Sequence, residues 1–207
     1  MDKLSAKDIA RNNKMYDMIT ATGNPDYWFG THKEDNYQRL ARIAEFTKMP
    51  LKGSSCLDVG CGTGDFSRFL RQNGVSQYLG IDLYEPSLHF AKEKYPHEKF
   101  RLLDLLSWET NEKFDHVFCS GGLSTRLDSD NYDFIGSMLR KMWQLARFGA
   151  AFNFLTDDME MRDLNIFHYS FENVLGICKQ IINLDGRIFY RIENGEAHLY
   201  LFRKSAV

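Results

Sequence analysis

The chain has no excess of positive charge. Its 26 Lys and Arg stand against 28 Asp and Glu, a formal net charge of −2 over 207 residues, and its isoelectric point falls near 6.3. Such a balance provides no broad basic field for a polyanion, so nucleic acid is not the expected partner. Local pairs such as Lys92 with Lys94, or Arg140 with Lys141, read as solvated helix faces. Long apolar runs are also missing: no stretch approaches the roughly 18 residues of a membrane span. The start, Met1-Asp2-Lys3-Leu4-Ser5, lacks the apolar centre of a signal peptide. The expected location is the cytoplasm, with no membrane partner. Cysteine is scarce: Cys56, Cys61, Cys119 and Cys178 form no C-x-x-C pair and meet no histidine pair at ligand spacing. They read as reduced thiols, and no metal site is expected. Internal repeats and low-complexity segments are absent as well.

What is present is concentrated in Leu57-Asp58-Val59-Gly60-Cys61-Gly62-Thr63-Gly64-Asp65-Phe66. An apolar strand there runs into three glycines on alternate positions and then into a helix opening near Asp65. Glycine permits positive φ and close approach of the main chain to a ligand. The helix start would turn free amides and the positive dipole end toward a polar group. The spacing is G-x-G-x-G rather than the G-x-G-x-x-G of a dinucleotide site. Asp58 stands at the mouth of the turn, and an acid suits a ligand with an ammonium group better than one with phosphates.

Two further acids follow in order. Tyr78-Leu79-Gly80-Ile81-Asp82 reads as a buried strand ending in a carboxylate 22 residues after Gly60, the placement from which an acid accepts both ribose hydroxyls. Phe100-Arg101-Leu102-Leu103-Asp104-Leu105 is an apolar run whose Asp104 can accept from an adenine amino group. Elsewhere, Ser5 to Thr20 fits a helix with Ser5 and Asp8 spaced as a capping pair. Thr22-Gly23-Asn24-Pro25 breaks it, and a second helix spans about Glu34 to Thr47. Strands and helices alternate from Ser54 to Leu155, as in βαβ units of a parallel sheet. Ile181 to Ile192 and Ala197 to Arg203 are strand-like and joined by Asn194-Gly195, a hairpin signal.

At these residues the chain resembles the class I S-adenosylmethionine-dependent methyltransferases. The resemblance extends through Phe114-Asp115-His116-Val117-Phe118-Cys119-Ser120-Gly121-Gly122, similar to that family's fourth-strand motif, and Phe148 to Leu155, similar to its fifth strand. Gln38-Arg39-Leu40 and the segment Phe152 to Val174 resemble a narrower group of small bacterial methyltransferases. The resemblance implies an α/β, Rossmann-like, seven-stranded and mostly parallel sheet in the order 3-2-1-4-5-7-6, with helices on both faces and an antiparallel C-terminal hairpin. It implies S-adenosylmethionine as cofactor. A single domain is expected over 1–207, with 1–48 as a helical cap or lid and 49–207 as the core. Within it Asp58, Gly60, Cys61, Gly62 and Gly64 would face the amino-acid part of the cofactor, and Asp82 the ribose with Leu83 beside the adenine. Asp104 and Leu105 would border the base, and Ser120 and Gly121 the methionine end. Arg39 has the bidentate geometry to clamp the methionine carboxylate, and also reads as an ordinary surface arginine.

On the acceptor side, Tyr27-Trp28-Phe29-Gly30 and His32 lie in a segment expected to close over the strand ends, as does Leu123-Ser124-Thr125 after the fourth strand. Relatives acting on base amines often carry an acid or Asn followed by Pro-Pro and an aromatic where this chain has Ser120-Gly121-Gly122, which argues against a nucleobase acceptor. The loop 156–163, with Asp157, is acidic and would attract a cationic acceptor if it faces the site. His168 is the leading candidate for a general base, because imidazole titrates near neutrality, with Tyr169 beside it; a packed structural histidine is the other reading. The expected activity is methyl transfer to nitrogen or oxygen of a small molecule, nitrogen preferred, by a monomer or homodimer. A nucleic-acid or protein methyltransferase, and a domain that binds the cofactor without turnover, remain the alternatives.

Overall fold

A computed structural model describes residues 4–21, 41–45, 51–159 and 164–204. In chain order its elements are α1 (Ala6–Thr20), β1 (Ser55–Val59), α2 (Asp65–Gln72), β2 (Gln77–Asp82), α3 (Glu85–Lys94), β3 (Lys99–Leu102), a 3₁₀ turn (Leu105–Ser107), β4 (Phe114–Cys119), α4 (Asn131–Leu145), β5 (Ala146–Leu155), α5 (Phe171–Ile182), β6 (Gly186–Glu193) and β7 (Glu196–Arg203). The seven strands form one sheet in the order β3-β2-β1-β4-β5-β7-β6. Every neighbouring pair from β3 to β5 is parallel, and β7 runs antiparallel to both β5 and β6. The expected fold class and strand order are borne out.

The sheet is covered on both faces because its strands alternate side chains between two cores. Leu57, Val59, Leu79, Ile81, Val117, Leu199 and Leu201 point to the face packed by α4 and α5. Cys56, Tyr78, Phe118, Ala151, Tyr200 and Phe202 point to the face packed by α2, α3 and Ile43. All five residues of β1 are buried, as befits a strand at the centre of a doubly covered parallel sheet. Asp130 caps α4 by accepting from the amides of Tyr132 and Asp133 at 2.7 and 3.0 Å. Ser5 caps α1 as its spacing predicts, its Oγ accepting from the Asp8 amide at 3.1 Å and donating to Asp8 Oδ2 at 2.6 Å.

Two expected boundaries shift. Ile181 and Ile182 belong to the end of α5, not to a strand; Ile182 is buried against the sheet while the strand begins only at Gly186. β3 stops at Leu102, two residues before Asp104. The Asn194-Gly195 turn is as expected, both residues at positive φ, 51° and 73°, which matches the twist of a two-residue hairpin. The expected break at 22–25 and most of the helix expected at 34–47 lie outside the described residues, although 41–45 are helical.

Candidate active site

The carboxyl ends of β1, β2, β4 and β5 open into one cleft of about 1060 Å³, at the edge of the sheet where open α/β folds place their ligands. Its floor is the turn after β1. Gly60, Gly62 and Gly64 have φ of 69°, 52° and 78°. The amides of Gly60 and Cys61 donate to the Ile81 carbonyl at 2.8 and 3.1 Å, and that of Gly62 donates to Asp82 Oδ2 at 2.8 Å. These turn amides are therefore spent on β2 and do not form a phosphate cradle. The departure from the dinucleotide spacing is a departure in chemistry.

Gly60, Cys61 and Gly62 line the cleft and Gly64 does not. A Cβ at Gly64 would lie 2.7 Å from Phe100 Cζ and 3.2 Å from Ala91 Cβ. Gly64 is thus required by the packing of α2 on α3 and β3 rather than by the ligand, a correction to its expected role. Cys61 is buried, which pushes its thiol well above the ordinary range.

Two carboxylates flank the turn. Asp58 is 2% exposed yet borders the cleft. Burial, with the nearby charge of Asp82, pushes it up to about 7 despite a hydrogen bond from the Tyr78 hydroxyl at 2.8 Å. Asp82 accepts from the Gly62 amide and, at 2.9 Å, from the Tyr84 amide. Burial raises it above the ordinary carboxylate range, against the pull of those amides. It therefore does cap the following turn, and each of its oxygens keeps a second lone pair for another donor. Leu83, Asp104 and Leu105 complete this end of the cleft. Asp104 does so from the cap of the 3₁₀ turn, where its Oδ1 accepts from the Leu106 amide at 2.9 Å.

Across β1, Ser120 and Gly121 line the cleft from the end of β4. The Gly121 amide donates to Asn153 Oδ1 at 2.8 Å. Ser124 also lines the cleft; its Oγ accepts from the Leu155 amide at 3.1 Å and its carbonyl from the Phe167 amide at 2.7 Å, which ties the loop after β4 to that after β5. α1 supplies another wall through Asn12, Met15 and Tyr16. Asp8 docks it, accepting from the Asp128 amide at 2.7 Å and Ser129 Oγ at 3.1 Å. Asp17 accepts from the Tyr84 hydroxyl at 2.8 Å.

Several expected site residues fall elsewhere. Tyr169 is fully buried and its hydroxyl donates to the Leu123 carbonyl at 2.8 Å; burial raises it further above its ordinary range. It locks the loop after β4 and has no access to a ligand, so its expected catalytic role is corrected to a structural one. His168, 9% exposed, does not line the cleft. Asp157 is solvent-exposed and does not line it either. Arg39, Tyr27, Trp28 and His32 lie outside the described residues. Sequence reasoning missed Asn153 and Glu196, which line the cleft from β5 and β7. The available signal was a lone amide in the apolar run Phe152-Asn153-Phe154 and an acid directly after the hairpin turn.

The fold has counterparts among known proteins. Residues 56–147 match the family model described as a methyltransferase domain. A search of the curated proteins finds no match. Among solved structures, the chain is similar to magnesium protoporphyrin IX methyltransferase (ChlM) from Synechocystis PCC 6803 with bound S-adenosylhomocysteine, at 17% identity and a TM-score of 0.68, covering 93% of this chain and 100% of that one. It is similar to DhpI in complex with S-adenosylhomocysteine at 15% identity and a TM-score of 0.73, covering 96% and 98%. It is also similar to the N-methyltransferase NodS from Bradyrhizobium japonicum WM9 in complex with S-adenosylhomocysteine, at 14% identity and a TM-score of 0.68, covering 94% and 99%. The fold is that of the class I S-adenosylmethionine-dependent methyltransferases, and residues 56–147 are the part of it that matches the methyltransferase-domain model.

Proposed function

We propose that the protein transfers the methyl group of S-adenosylmethionine to a nitrogen or oxygen of a small molecule, with nitrogen preferred. The observation that carries this reading is the charge of the cleft: Asp8, Asp58, Asp65, Asp82, Asp104, Glu193 and Glu196 line it, against Arg42 alone among basic residues described there. Such a lining suits a cationic cofactor and a cationic or neutral acceptor. The donor set fits the cofactor, since Asp82 retains lone pairs for two ribose hydroxyls and Asp58 offers a buried carboxylate to an ammonium group. When bound, the cofactor supplies an electrophilic methyl group on a sulfonium. The protein's part is to hold the acceptor atom within about 3–3.5 Å and in line, which supplies as much as about 7–11 kcal/mol of barrier reduction.

A volume of about 1060 Å³ lies just above the roughly 300–1,000 Å³ of small-molecule pockets, enough for a cofactor and a small acceptor together. Likeness to NodS, an N-methyltransferase, supports the preference for nitrogen. Among the described residues no helix is long and apolar enough to cross a membrane. We read the protein as cytoplasmic, a monomer or homodimer, with residues 1–48 as the cap of a single domain. The test is release of S-adenosylhomocysteine from S-adenosylmethionine in the presence of separate pools of small amines, guanidines, hydroxy acids and phenols. Release that depends on one pool supports the reading. Release only with a nucleic acid or protein points to the macromolecular alternative, and cofactor binding without release from any acceptor points to a non-catalytic binder.

A further inference from the structure

The parallel strands deliver their carboxyl ends to the cleft, and β7, which runs the other way, delivers its beginning. Glu196 is the first residue of β7 and pairs with Leu155 at the end of β5. The nucleoside-facing acids stand over β2 and β3, so on the proposed reading the reacting methyl lies toward β4 and the acceptor beyond it, over β5 and β7. Glu196 lines the cleft there.

Two side chains stand against its carboxylate, Asn153 and His198. Asn153 is fully buried, and its Oδ1 is engaged by the Gly121 amide at 2.8 Å. Its Nδ2 is thereby turned toward Glu196, to which it donates. His198, two residues on and so on the same side of β7, is 1% exposed with Nε2 3.3 Å from Glu196 Oε2, and neither ring nitrogen has a hydrogen-bond partner among the described residues. Across the hairpin stands Glu193, itself paired with Arg42 and Arg191. The Glu196 side chain is 16% exposed.

We propose that Glu196, positioned by Asn153 and backed by His198, is the proton acceptor for a protonated small amine, the methyl acceptor of this enzyme. This rests on the methyltransferase reading above. An alkylammonium has no lone pair and, with an ordinary pKa near 10, is almost wholly protonated at neutral pH. Glu196 binds it as an ion pair and takes one N–H proton. The freed nitrogen lone pair attacks the sulfonium methyl; the N–C bond forms as the C–S bond breaks, and its electron pair stays on sulfur. The products are a methylammonium and a neutral thioether, and the proton on Glu196 passes to water as they leave.

The test compares wild type with Glu196→Gln, which keeps an oxygen for the Asn153 amide, using S-adenosylhomocysteine for binding and pools of primary and secondary alkylamines with labelled S-adenosylmethionine for transfer. The expected result is unchanged S-adenosylhomocysteine affinity and a loss of amine methylation of about 10²–10⁴-fold at pH 7. The rate should recover as pH approaches the amine's own pKa and free base becomes available. Glu196→Asp serves as the second variant should Glu196→Gln melt early, and is expected to retain more rate than the amide. Equal rates in wild type and Glu196→Gln, or transfer by wild type to hydroxyl pools and to no amine, overturn the assignment and leave the methyltransferase reading standing. Failure of wild type to bind S-adenosylhomocysteine overturns both.

Discussion

Replacing two glycines of the same turn by alanine should have different effects, because their missing side chains point to different places. Both need positive φ, which costs an L-residue about 1–2 kcal/mol. At Gly60 a Cβ would meet nothing nearer than Gly122 Cα at 3.6 Å, an ordinary contact, and Gly60 and Gly122 border the cleft. At Gly64 it would meet Phe100 at 2.7 and 2.8 Å and Ala91 at 3.2 Å. Phe100 is 8% exposed and packs edge-on against Tyr78 at 5.8 Å, so it cannot swing aside freely, and overpacking adds about 1–3 kcal/mol. Gly64→Ala should therefore lose about 2–5 kcal/mol and Gly60→Ala about 1–2 kcal/mol. At about 2–4 °C per kcal/mol for a chain of this length, the melting temperature falls by roughly 4–20 °C in the first and 2–8 °C in the second. Calorimetric melting measures both, and titration with S-adenosylhomocysteine should show the larger affinity loss in Gly60→Ala. A Gly64→Ala protein that melts with wild type, or a reversed order of stabilities, would refute the division of the turn into a ligand-facing and a core-facing glycine.

Asp58, at about 7 without ligand, must ionise to receive an ammonium group. Affinity for S-adenosylhomocysteine should rise about tenfold between pH 6 and pH 8 as the ionised fraction climbs from about 0.1 to 0.9, and Asp58→Asn should flatten that rise; a flat wild-type profile contradicts the assignment. The same raised value means that ionising Asp58 opposes folding, so this carboxyl's contribution to the stability of the unliganded protein is greatest below its ordinary value of 3.8 and is lost as pH rises through about 7. Tyr169→Phe leaves the Leu123 carbonyl without its donor and should cost about 1–3 kcal/mol in denaturant unfolding while kcat is unchanged. A stable variant with collapsed kcat would return Tyr169 to the chemistry. Burial pushes the Asp8 carboxyl up, but bonds from Ser5, the Asp128 amide and Ser129 outweigh it and hold it below the ordinary range. Its docking of α1 is therefore complete above that range and lost as pH falls through the lowered value. Asp8→Ala should speed hydrogen exchange in 6–20 at neutral pH and leave β1 and β4 protected; unchanged exchange in α1 counts against the clamp.

The parts of the fold legible in the sequence were those fixed by local chemistry. Three glycines mark the turn after β1 because each adopts positive φ, Asp82 ends β2, and Asn194-Gly195 marks a hairpin because both positions adopt positive φ. The start of β6 was not legible: Ile181 and Ile182 have β-branched side chains, but the apolar face of α5 overrides that propensity by burying Ile182. Of the cleft, the end over β1 and β2 was legible because its lining residues follow their strands directly. The end over β5 and β7 was not, because Asn153, Glu196 and His198 come together only through the pairing of β5 with an antiparallel β7. His168 and Tyr169 looked chemical by residue type, and Tyr169 proved to be a buried tie between loops. Gly64 was legible as a glycine that could not be replaced, but the reason, contact with Phe100, lies 36 residues away in sequence.

On the proposed function, the glycine turn and Asp82 form the S-adenosylmethionine site. Calorimetric titration of S-adenosylmethionine into wild type and Asp82→Asn tests it most directly. An amide cannot accept from both the Gly62 and Tyr84 amides and also serve two ribose hydroxyls, so loss of even one hydrogen bond to a charged group, about 1.5–3 kcal/mol, weakens binding by about 10- to 150-fold. Saturable one-to-one binding by wild type with that loss in the variant is the predicted result. No heat from wild type, or equal affinity in the two proteins at equal stability, contradicts the account.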